Sequence, residues 1–543
     1  MTNKEIALIF NKLAKIMELH GENPFKIRSY YNAYNTLRKM EAPLIEMDEK
    51  ELAEIPGVGK AITEKIIEFT GTGHLKTYQK YTSVTPPGVI EMLEIRGFGP
   101  KKIGIIWKEL GIETIGELIY AIQENRLLEL KGFGEKTQDQ LSKELQYFLD
   151  SRGKLLYYQA LPLAEKAKNW LDENFPDSRN EICGMVRRKM PVIDVIDIIT
   201  TVDNDQSIVI EKQIKDDLFP ENPILENVGI RIASVGKAEF GNKWLELSAS
   251  EEFLNQLKPL ASSFSDENEV WMEQHSVHIP PECREFPLAL DFGRQGRIHE
   301  IINYGDIKGV IHAHTTFSDG IHSVEEMALK AKEEGFEYLV ITDHSKAAFY
   351  ANGLTEARVW EQFEEIDRVN QLVAPFKVYK GIEADILPDG SMDYNADLIS
   401  AFDIVIASVH SGLKMEEIKA TSRLIRAIEN PNTHILGHPT GRLLLSREGY
   451  PIDHFKVIDA CAEKGMVIEL NANPLRLDLD WSWIPYAMEK GVKISINPDS
   501  HNRDSFHYIN YGIDAARKGL LLRTMCLNAM NLRDFDQWVR SWS

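Results

Sequence analysis

Cysteine is scarce in this chain: four in 543 residues, Cys183, Cys283, Cys461 and Cys526, far apart and without CxxC spacing. That excludes a disulfide framework and a cysteine-built zinc site, and it makes a reducing cytoplasm the default location. Long hydrophobic runs are lacking too. No apolar stretch approaches the ~18 residues needed to cross a bilayer, so no membrane partner is expected. The first twenty residues carry Glu5, Lys12, Lys15 and Glu18 and read as an amphipathic helix, not a secretion signal. An excess of positive charge is also missing. With 62 Lys+Arg against 83 Asp+Glu the net charge is −21, which argues against indiscriminate nucleic-acid binding. The balance is uneven, however: residues 1–110 hold 16 Lys/Arg against 14 Asp/Glu, about +2, leaving about −23 for the rest. A DNA handle, if there is one, belongs at the N-terminal end. The length exceeds what one core supports, so three or four domains are expected.

Three segments repeat one pattern: Ile55-Pro-Gly57-Val-Gly59-Lys60, Ile95-Arg-Gly97-Phe-Gly99-Pro-Lys101-Lys102, and Leu130-Lys-Gly132-Phe-Gly134-Glu-Lys136. Each follows a short helical stretch and opens another. Paired glycines let the backbone turn sharply, and the N–H groups at the next helix start face an anion. The lysines that follow add charge. This is the helix–hairpin–helix device, which holds a DNA phosphate without reading sequence. Gly57, Gly59, Lys60, Lys65, Gly97, Gly99, Lys101, Lys102, Gly132 and Gly134 are therefore candidate DNA contacts. The alternative for any one copy is a plain helix–helix turn, and Glu135 makes the third copy the weakest candidate.

The last 240 residues contain seven short apolar runs that finish on metal-ligand side chains. They lead to His312-Ala-His314, Asp343-His344, Glu383, His410, His438, Asn471 and Asp499-Ser-His501. Helical stretches such as Val324 to Glu334 separate most of them, so a parallel β/α barrel with converging strand ends is expected. His-x-His and Asp-x-His at strand ends place both side chains on one face, about 6–7 Å apart. Imidazole and carboxylate suit Mn²⁺, Zn²⁺ or Fe²⁺. Such a cluster acidifies a water and offsets the charge of a phosphodiester. A lone histidine would more often be a hydrogen-bonded core residue, and His322 and His434, off the pattern, are read that way. Lys346 and Arg442 are candidate phosphate contacts, and Asp343 and Asp385 candidate groups that orient metal ligands.

Residues 305–543 resemble the polymerase-and-histidinol-phosphatase (PHP) domain that follows the polymerase core of bacterial family X DNA polymerases. The matching residues include His312-Ala-His314, Ser318-Asp319-Gly320, Thr342-Asp343-His344, Gly381-Ile-Glu383, Ser408-Val-His410, Gly437-His438-Pro439 and Asn497-Pro-Asp499-Ser-His501. The resemblance implies nine ligands for three divalent metals, Mn²⁺ foremost and Zn²⁺ or Fe²⁺ otherwise. They are His312, His314, Asp319, His344, Glu383, His410, His438, Asp499 and His501, with His344, Glu383, Asp499 and His501 as the catalytic subset.

Residues 1–290 resemble the rest of that family. Gly21 to Tyr31 with Ile55 to Lys65 is similar to its small N-terminal domain, in which some members use a Schiff-base lysine; Lys65 holds that position, although a surface lysine facing phosphate is the simpler reading. Gly184-Met-Val-Arg187-Arg188 followed by Asp194-Val195-Ile196-Asp197 resembles the palm signature Gly-Ser-x-Arg-Arg with Asp-x-Asp. Aligned on Gly184, Arg187 and Arg188, the first catalytic aspartate becomes Val195, the second remains as Asp197, the third becomes Gly229, and the triphosphate-binding serine becomes Met185. One carboxylate cannot hold two Mg²⁺ ions, so Gly184, Arg187, Arg188 and Asp197 are read as a vestigial nucleotide site. Asp194 and the Asp203-Asn-Asp205 stretch are weak substitutes.

The expected architecture is multidomain, α+β and α/β. Helix–hairpin–helix domains occupy 1–85 (lyase-like) and 86–150 (fingers-like), a degenerate nucleotidyltransferase-like palm and thumb 151–295, and a distorted (β/α)7 PHP barrel 300–543. The expected function is hydrolysis of gapped, nicked or abasic DNA, as 3′–5′ exonuclease or abasic endonuclease. Three alternatives stand beside it: a gap-filling polymerase with displaced carboxylates, a non-catalytic DNA-end binder, and a phosphatase acting on a small phosphomonoester.

Overall fold

The computed structural model describes residues 2–40, 42–123, 126–203, 207–218, 229–260 and 262–542. Two compact units divide the chain, Met1–Arg152 and Gly153–Ser543.

The first unit is helical throughout its described residues. Its opening helix, Asn3–Leu19, is started by a capping box in which Thr2 and Glu5 satisfy each other's backbone N–H. The helix serves two cores. Phe10, Leu13 and Met17 pack with Tyr30, Leu37 and Ile62, whereas Ile16 and Leu19 pack with Val89, Ile103, Ile106 and Leu118. At ~1.5 Å rise per residue a helix of this length spans ~25 Å, enough to reach both. The second core also takes in Leu141 and Leu145 of the last helix, Glu135–Ser151.

The second unit opens with a small sheet. Asn180–Cys183 runs antiparallel to Val195–Thr200, which runs parallel to Gly229–Ser234. The helices Tyr157–Asn174 and Ser207–Leu218 cover it through Ala160, Ala164, Ala167, Leu171, Ile210 and Ile214. The alanines fall at helical spacing and let the longer helix lie close to the strands. Short helices between Phe240 and Arg294 enclose a further core around Phe253, Trp271 and Leu290.

A seven-stranded parallel barrel follows, its strands neighbouring one another in sequence order. They are Gly309–Ala313, Tyr338–Ile341, Lys377–Asp385, Ile404–Ser408, Ile435–Leu436, Val467–Asn471 and Ile494–Asn497. They are buried almost throughout, as parallel strands faced by helices on one side and a packed interior on the other must be. Ala313 pairs with Ser500 at the rim, joining the first strand to the extension of the seventh. At the other end the buried Asn528 amide does the same work. It donates to Gly309 O and Ile496 O and accepts from Ile496 N–H, satisfying backbone groups of both strands. The barrel is nearly closed.

The barrel is bound to the regions before it by one helix, Ile509–Lys518, which reaches the turn after Asn180–Cys183 and the short-helix region at Glu282 and Glu285. Fully buried Lys518 donates to Glu285 at 2.8 Å and to the Arg188 carbonyl at 2.9 Å. Asp514 accepts from Lys189 at 2.7 Å, and Arg517 donates to Glu282 at 2.7 Å.

Candidate metal centre and nucleic-acid interface

Every barrel strand delivers a polar side chain to the same rim. Glu383, on the third strand, lies at the middle. Its Oε1 is 2.9 Å from His438 Nε2, 3.1 Å from His410 Nε2 and 3.4 Å from His312 Nε2. Its Oε2 is 2.9 Å from His344 Nδ1 and 3.7 Å from His314 Nε2. Asp499 Oδ1 is 3.2 Å from His314 Nε2 and 3.6 Å from His312 Nε2. Asp319 Oδ1 is 3.4 Å from His501 Nε2 and 3.7 Å from His344 Nε2. The geometry brings all nine sequence-derived candidates together. Three overlapping groups have atoms close enough to share an ion: His314, Asp319, His344 and His501; His312, His314 and Asp499; His344, Glu383 and His410.

The backbone reaches this arrangement by irregularity rather than by strand alternation. His312 has φ +70° at a point where the first strand slips register against the second, and Asp499 has φ +52°. A bulge with one residue in the left-handed region re-aims its side chain. The His312 and His314 rings thereby come to a centroid separation of 5.3 Å. Non-glycine residues held at positive φ cost free energy and cluster at functional sites.

Buried ligand atoms that crowd together without hydrogen-bonding test whether cations fit. Among the described residues His312 Nε2, both ring nitrogens of His314, His344 Nδ1 and Glu383 Oε2 are buried and make no hydrogen bond, although they lie as close to one another and to neighbouring carboxylates as 2.9 Å. Buried polar atoms are almost always paired, and these all face the cluster. A set of imidazoles and carboxylates with unspent lone pairs suits divalent first-row cations. Electrostatics agree. Burial, with His501 and His344 nearby, holds the His314 imidazole at about 4, neutral as metal ligation needs. Against burial, the Glu383 and Asp385 carboxylates raise His410 to about 10, and Asp319 and Asp499 raise His501 to about 9, so these carboxylates draw protons where a cation would have to displace them.

Behind the cluster stand groups that aim it. Asp385 Oδ1 is 3.1 Å from His410 Nδ1. The Asp343 carboxylate accepts from the N–H and hydroxyl groups of Thr315 and Ser318 and from Gln362, fixing the loop that carries Asp319, and the Asp343 carbonyl accepts from the Glu383 N–H at 3.1 Å. The sequence reading missed Glu469. Fully buried, its Oε1 lies 2.6 Å from His312 Nδ1, and its Oε2 accepts from the His438 N–H at 2.6 Å. Its signal was present: an acidic residue inside Val-Ile-Glu469-Leu-Asn471, on the same strand face as Asn471, which donates to Asp499. His434 is structural, accepting from the Val405 N–H, and burial lowers its imidazole to about 4. Arg442 is committed to protein acceptors and Lys346 sits 3.6 Å from Glu356.

In the small sheet, Asp197 is buried and paired with Arg231 on the adjoining strand. Gly184, at φ +62°, packs so tightly on Asp197 that an added Cβ would lie 2.2 Å from its Oδ2. Val195 lies beside Gly229 in register. Arg187 forms a two-bond ion pair with Glu267, and Arg188 lies 3.4 Å from Glu285. Asp194 is exposed and 3.8 Å from Lys154. Asn204 and Asp205 of the Asp203-Asn-Asp205 stretch fall outside the described residues.

The three hairpins share one backbone geometry. Gly57, Gly97 and Gly132 have φ of +83°, +80° and +93°, and Gly59, Gly99 and Gly134 are the N-caps of the helices that follow. No side chain caps those helices, so their first N–H groups are left for another acceptor. Lys60 and Lys101 are exposed, Lys102 is half-buried, and Lys65, also half-buried, donates to Thr77 Oγ1 at 2.8 Å.

Comparison with known proteins identifies three regions and one full-length relative. The Helix-hairpin-helix domain family matches residues 1–75, the SAM-like Helix-hairpin-helix tandem residues 89–146, and the PHP domain family residues 311–473. The DNA polymerase/3′-5′ exonuclease PolX of Bacillus subtilis is 31% identical, over 99% of this chain and all of the relative. The chain belongs to the PolX family. Over 35% of this chain, probable phosphatases of Thermoanaerobacter sp. strain X514 and Shewanella sp. strain MR-4 are 30% and 28% identical, the match covering 77% and 75% of their own lengths. The PHP domain makes this PolX homologue a hydrolase of the phosphoesterase kind, and its helix–hairpin–helix regions imply DNA binding. Among the described residues no helix is long and apolar enough to cross a membrane.

Proposed function

We propose that this chain is a DNA-processing phosphodiesterase, working from a 3′ end or beside an abasic site, whose polymerase core does not transfer nucleotides. The observation that carries the reading is the meeting of nine imidazoles and carboxylates at one barrel rim with buried lone pairs unspent. In this reading His312, His314, Asp319, His344, Glu383, His410, His438, Asp499 and His501 hold three divalent cations, Mn²⁺ or else Zn²⁺ or Fe²⁺. Bound there, such cations acidify a water and offset charge on the scissile phosphate. His344, Glu383, Asp499 and His501 line the reacting face, and Asp385 and Glu469 hold His410, His312 and His438 in orientation. The hairpins hold gapped, nicked or abasic duplex through backbone N–H groups and Lys60, Lys101 and Lys102. The four buried, unpaired cysteines fit a reducing cytoplasm.

Loss of polymerase activity is supported by Val195 and Gly229 where the family places carboxylates, and by the Arg231 guanidinium on the one that remains. Primer extension by a His344→Ala variant, which lacks the competing nuclease, is expected to add no nucleotides.

Metal content and nuclease activity should be measured on one batch of purified protein. Expected are divalent cations in stoichiometric amount and Mn²⁺-dependent shortening of a labelled oligonucleotide, both lost in His344→Ala. No shortening across a panel of divalent ions would overturn the proposal. A second reading, hydrolysis of a small phosphomonoester, rests on the barrel's likeness to the probable phosphatases. Turnover of nitrophenyl phosphate well above turnover of DNA would favour it.

A further inference from the structure

The rim carries a largely buried arginine, Arg476, whose donors the described residues leave unspent. Beyond Asn471 the chain makes a tight loop through Arg476 and returns, with the Asn471 N–H donating to the Asp478 carbonyl at 2.6 Å and the Leu479 N–H to the Glu469 carbonyl at 3.1 Å. Arg442 braces this loop from outside. Its Nε donates to the Arg476 carbonyl at 3.0 Å, one terminal nitrogen to Asp480 at 2.7 Å, and the other to the Leu477 carbonyl. The Leu444 N–H adds a bond to the Leu475 carbonyl at 2.7 Å. The Arg476 backbone is thus held from two sides while its side chain is free to serve something else.

That side chain points at the cluster. Arg476 Nε lies 3.8 Å from Asp499 Oδ2, while Asp499 Oδ1 faces His312, His314 and His501. At that distance the pair attracts but does not hydrogen-bond. Among the described residues the guanidinium has no hydrogen bond at all, although its side chain is only 20% exposed. A guanidinium is a planar fork of five donors, and its best partner is an oxyanion that takes two at once.

We propose that Arg476 is the phosphate-positioning residue of this site, its guanidinium taking non-bridging oxygens of a nucleotide phosphate presented to the Asp499 side of the cluster. The proposal rests on the phosphoesterase reading above. It deepens that reading by assigning to Arg476 the role the sequence suggested for Arg442, which is spent on carbonyls and Asp480.

The rival role is purely structural, with Arg476 propping Asp499 by its charge. Full-length protein reconstituted with Mn²⁺ separates the two. Inorganic phosphate binding is followed by calorimetry, metal content by elemental analysis, and oligonucleotide hydrolysis by kinetics, for wild type, Arg476→Ala and Arg476→Lys. Expected for Arg476→Ala are unchanged metal content, phosphate affinity weakened ~10- to 100-fold, and KM for the oligonucleotide raised by a similar factor. Arg476→Lys should recover part of the loss, since it keeps the charge without the fork. Unchanged phosphate affinity in Arg476→Ala, no phosphate binding by wild type, or a loss of metal that parallels the loss of phosphate would each overturn the assignment. A wild-type protein that binds phosphate through Arg476 yet cleaves no DNA would leave the residue's role standing and remove the nuclease reading instead.

Discussion

At the scale of single residues, the centre depends on groups that never face solvent. Glu469 holds His312 Nδ1 at 2.6 Å and the His438 backbone at 2.6 Å, orienting two candidate ligands at once. Substituting such an orienting carboxylate costs about 10- to 100-fold in metal affinity. Glu469→Gln should therefore show that loss in a metal titration followed by competition with a chelator, with the fold retained by circular dichroism. An affinity equal to wild type would show that His312 needs no such anchor. The sequence held a trace of Glu469 as a charge inside an apolar strand, but nothing in it distinguished Arg476 from Arg442. Both are arginines in loops near the rim, and only their hydrogen bonds differ.

Elements explain where the residues of the proposed vestigial nucleotide site are engaged. The turn that carries Gly184, Arg187 and Arg188 now takes part in salt bridges. Glu267 receives Arg187 and Arg284 at 2.7 Å each, with its side chain 4% exposed. Burial would raise the Glu267 carboxyl, but His278 and the two arginines outweigh it and hold it well below its ordinary 4.5. A group depressed in the folded state contributes stability above its unfolded value and loses it as pH falls below that value. Glu267→Gln should therefore destabilise the Gly153–Ser543 unit by about 3–5 kcal/mol at neutral pH, and the gap to wild type should narrow below about pH 4.5. Thermal melts across that range check it, and a gap independent of pH would contradict it. The family resemblance set Val195 and Gly229 against carboxylate positions of the palm. Where the remaining arginines went was not legible, because Glu267 lies 80 residues from Arg187.

For the whole molecule, charge is divided between tasks. The first 110 residues are about +2 and the remainder about −23, so duplex should be held by the hairpins and repelled elsewhere except at cations. Affinity for nicked duplex, measured as a function of salt, should reflect the phosphates neutralised at the hairpins. Replacing Lys60, Lys101 and Lys102 together with alanine should weaken binding and make the slope of log K against log salt shallower by about 2–3. Hydrolysis of a mononucleotide ester by the same variant should stay at the wild-type rate. An unchanged slope would take the duplex away from the hairpins.

The sequence by itself determined the elements and their chemistry. Glycine pairs before lysines set the hairpins, because left-handed turns and uncapped helix starts are local properties. Apolar runs ending in imidazole and carboxylate set the barrel and offered eight of the nine rim residues, because every parallel strand ends at the same edge; Asp319, in a loop, came from the family resemblance. Tertiary structure decided the rest: the bulge and left-handed backbone that turn His312 and Asp499 inward, the Glu469 carboxylate behind two ligands, the pairing of Arg187 with Glu267, and an Arg476 left with donors to spare. Each of these depends on which distant atoms come within hydrogen-bonding reach, and that distance is fixed only when the whole chain has packed.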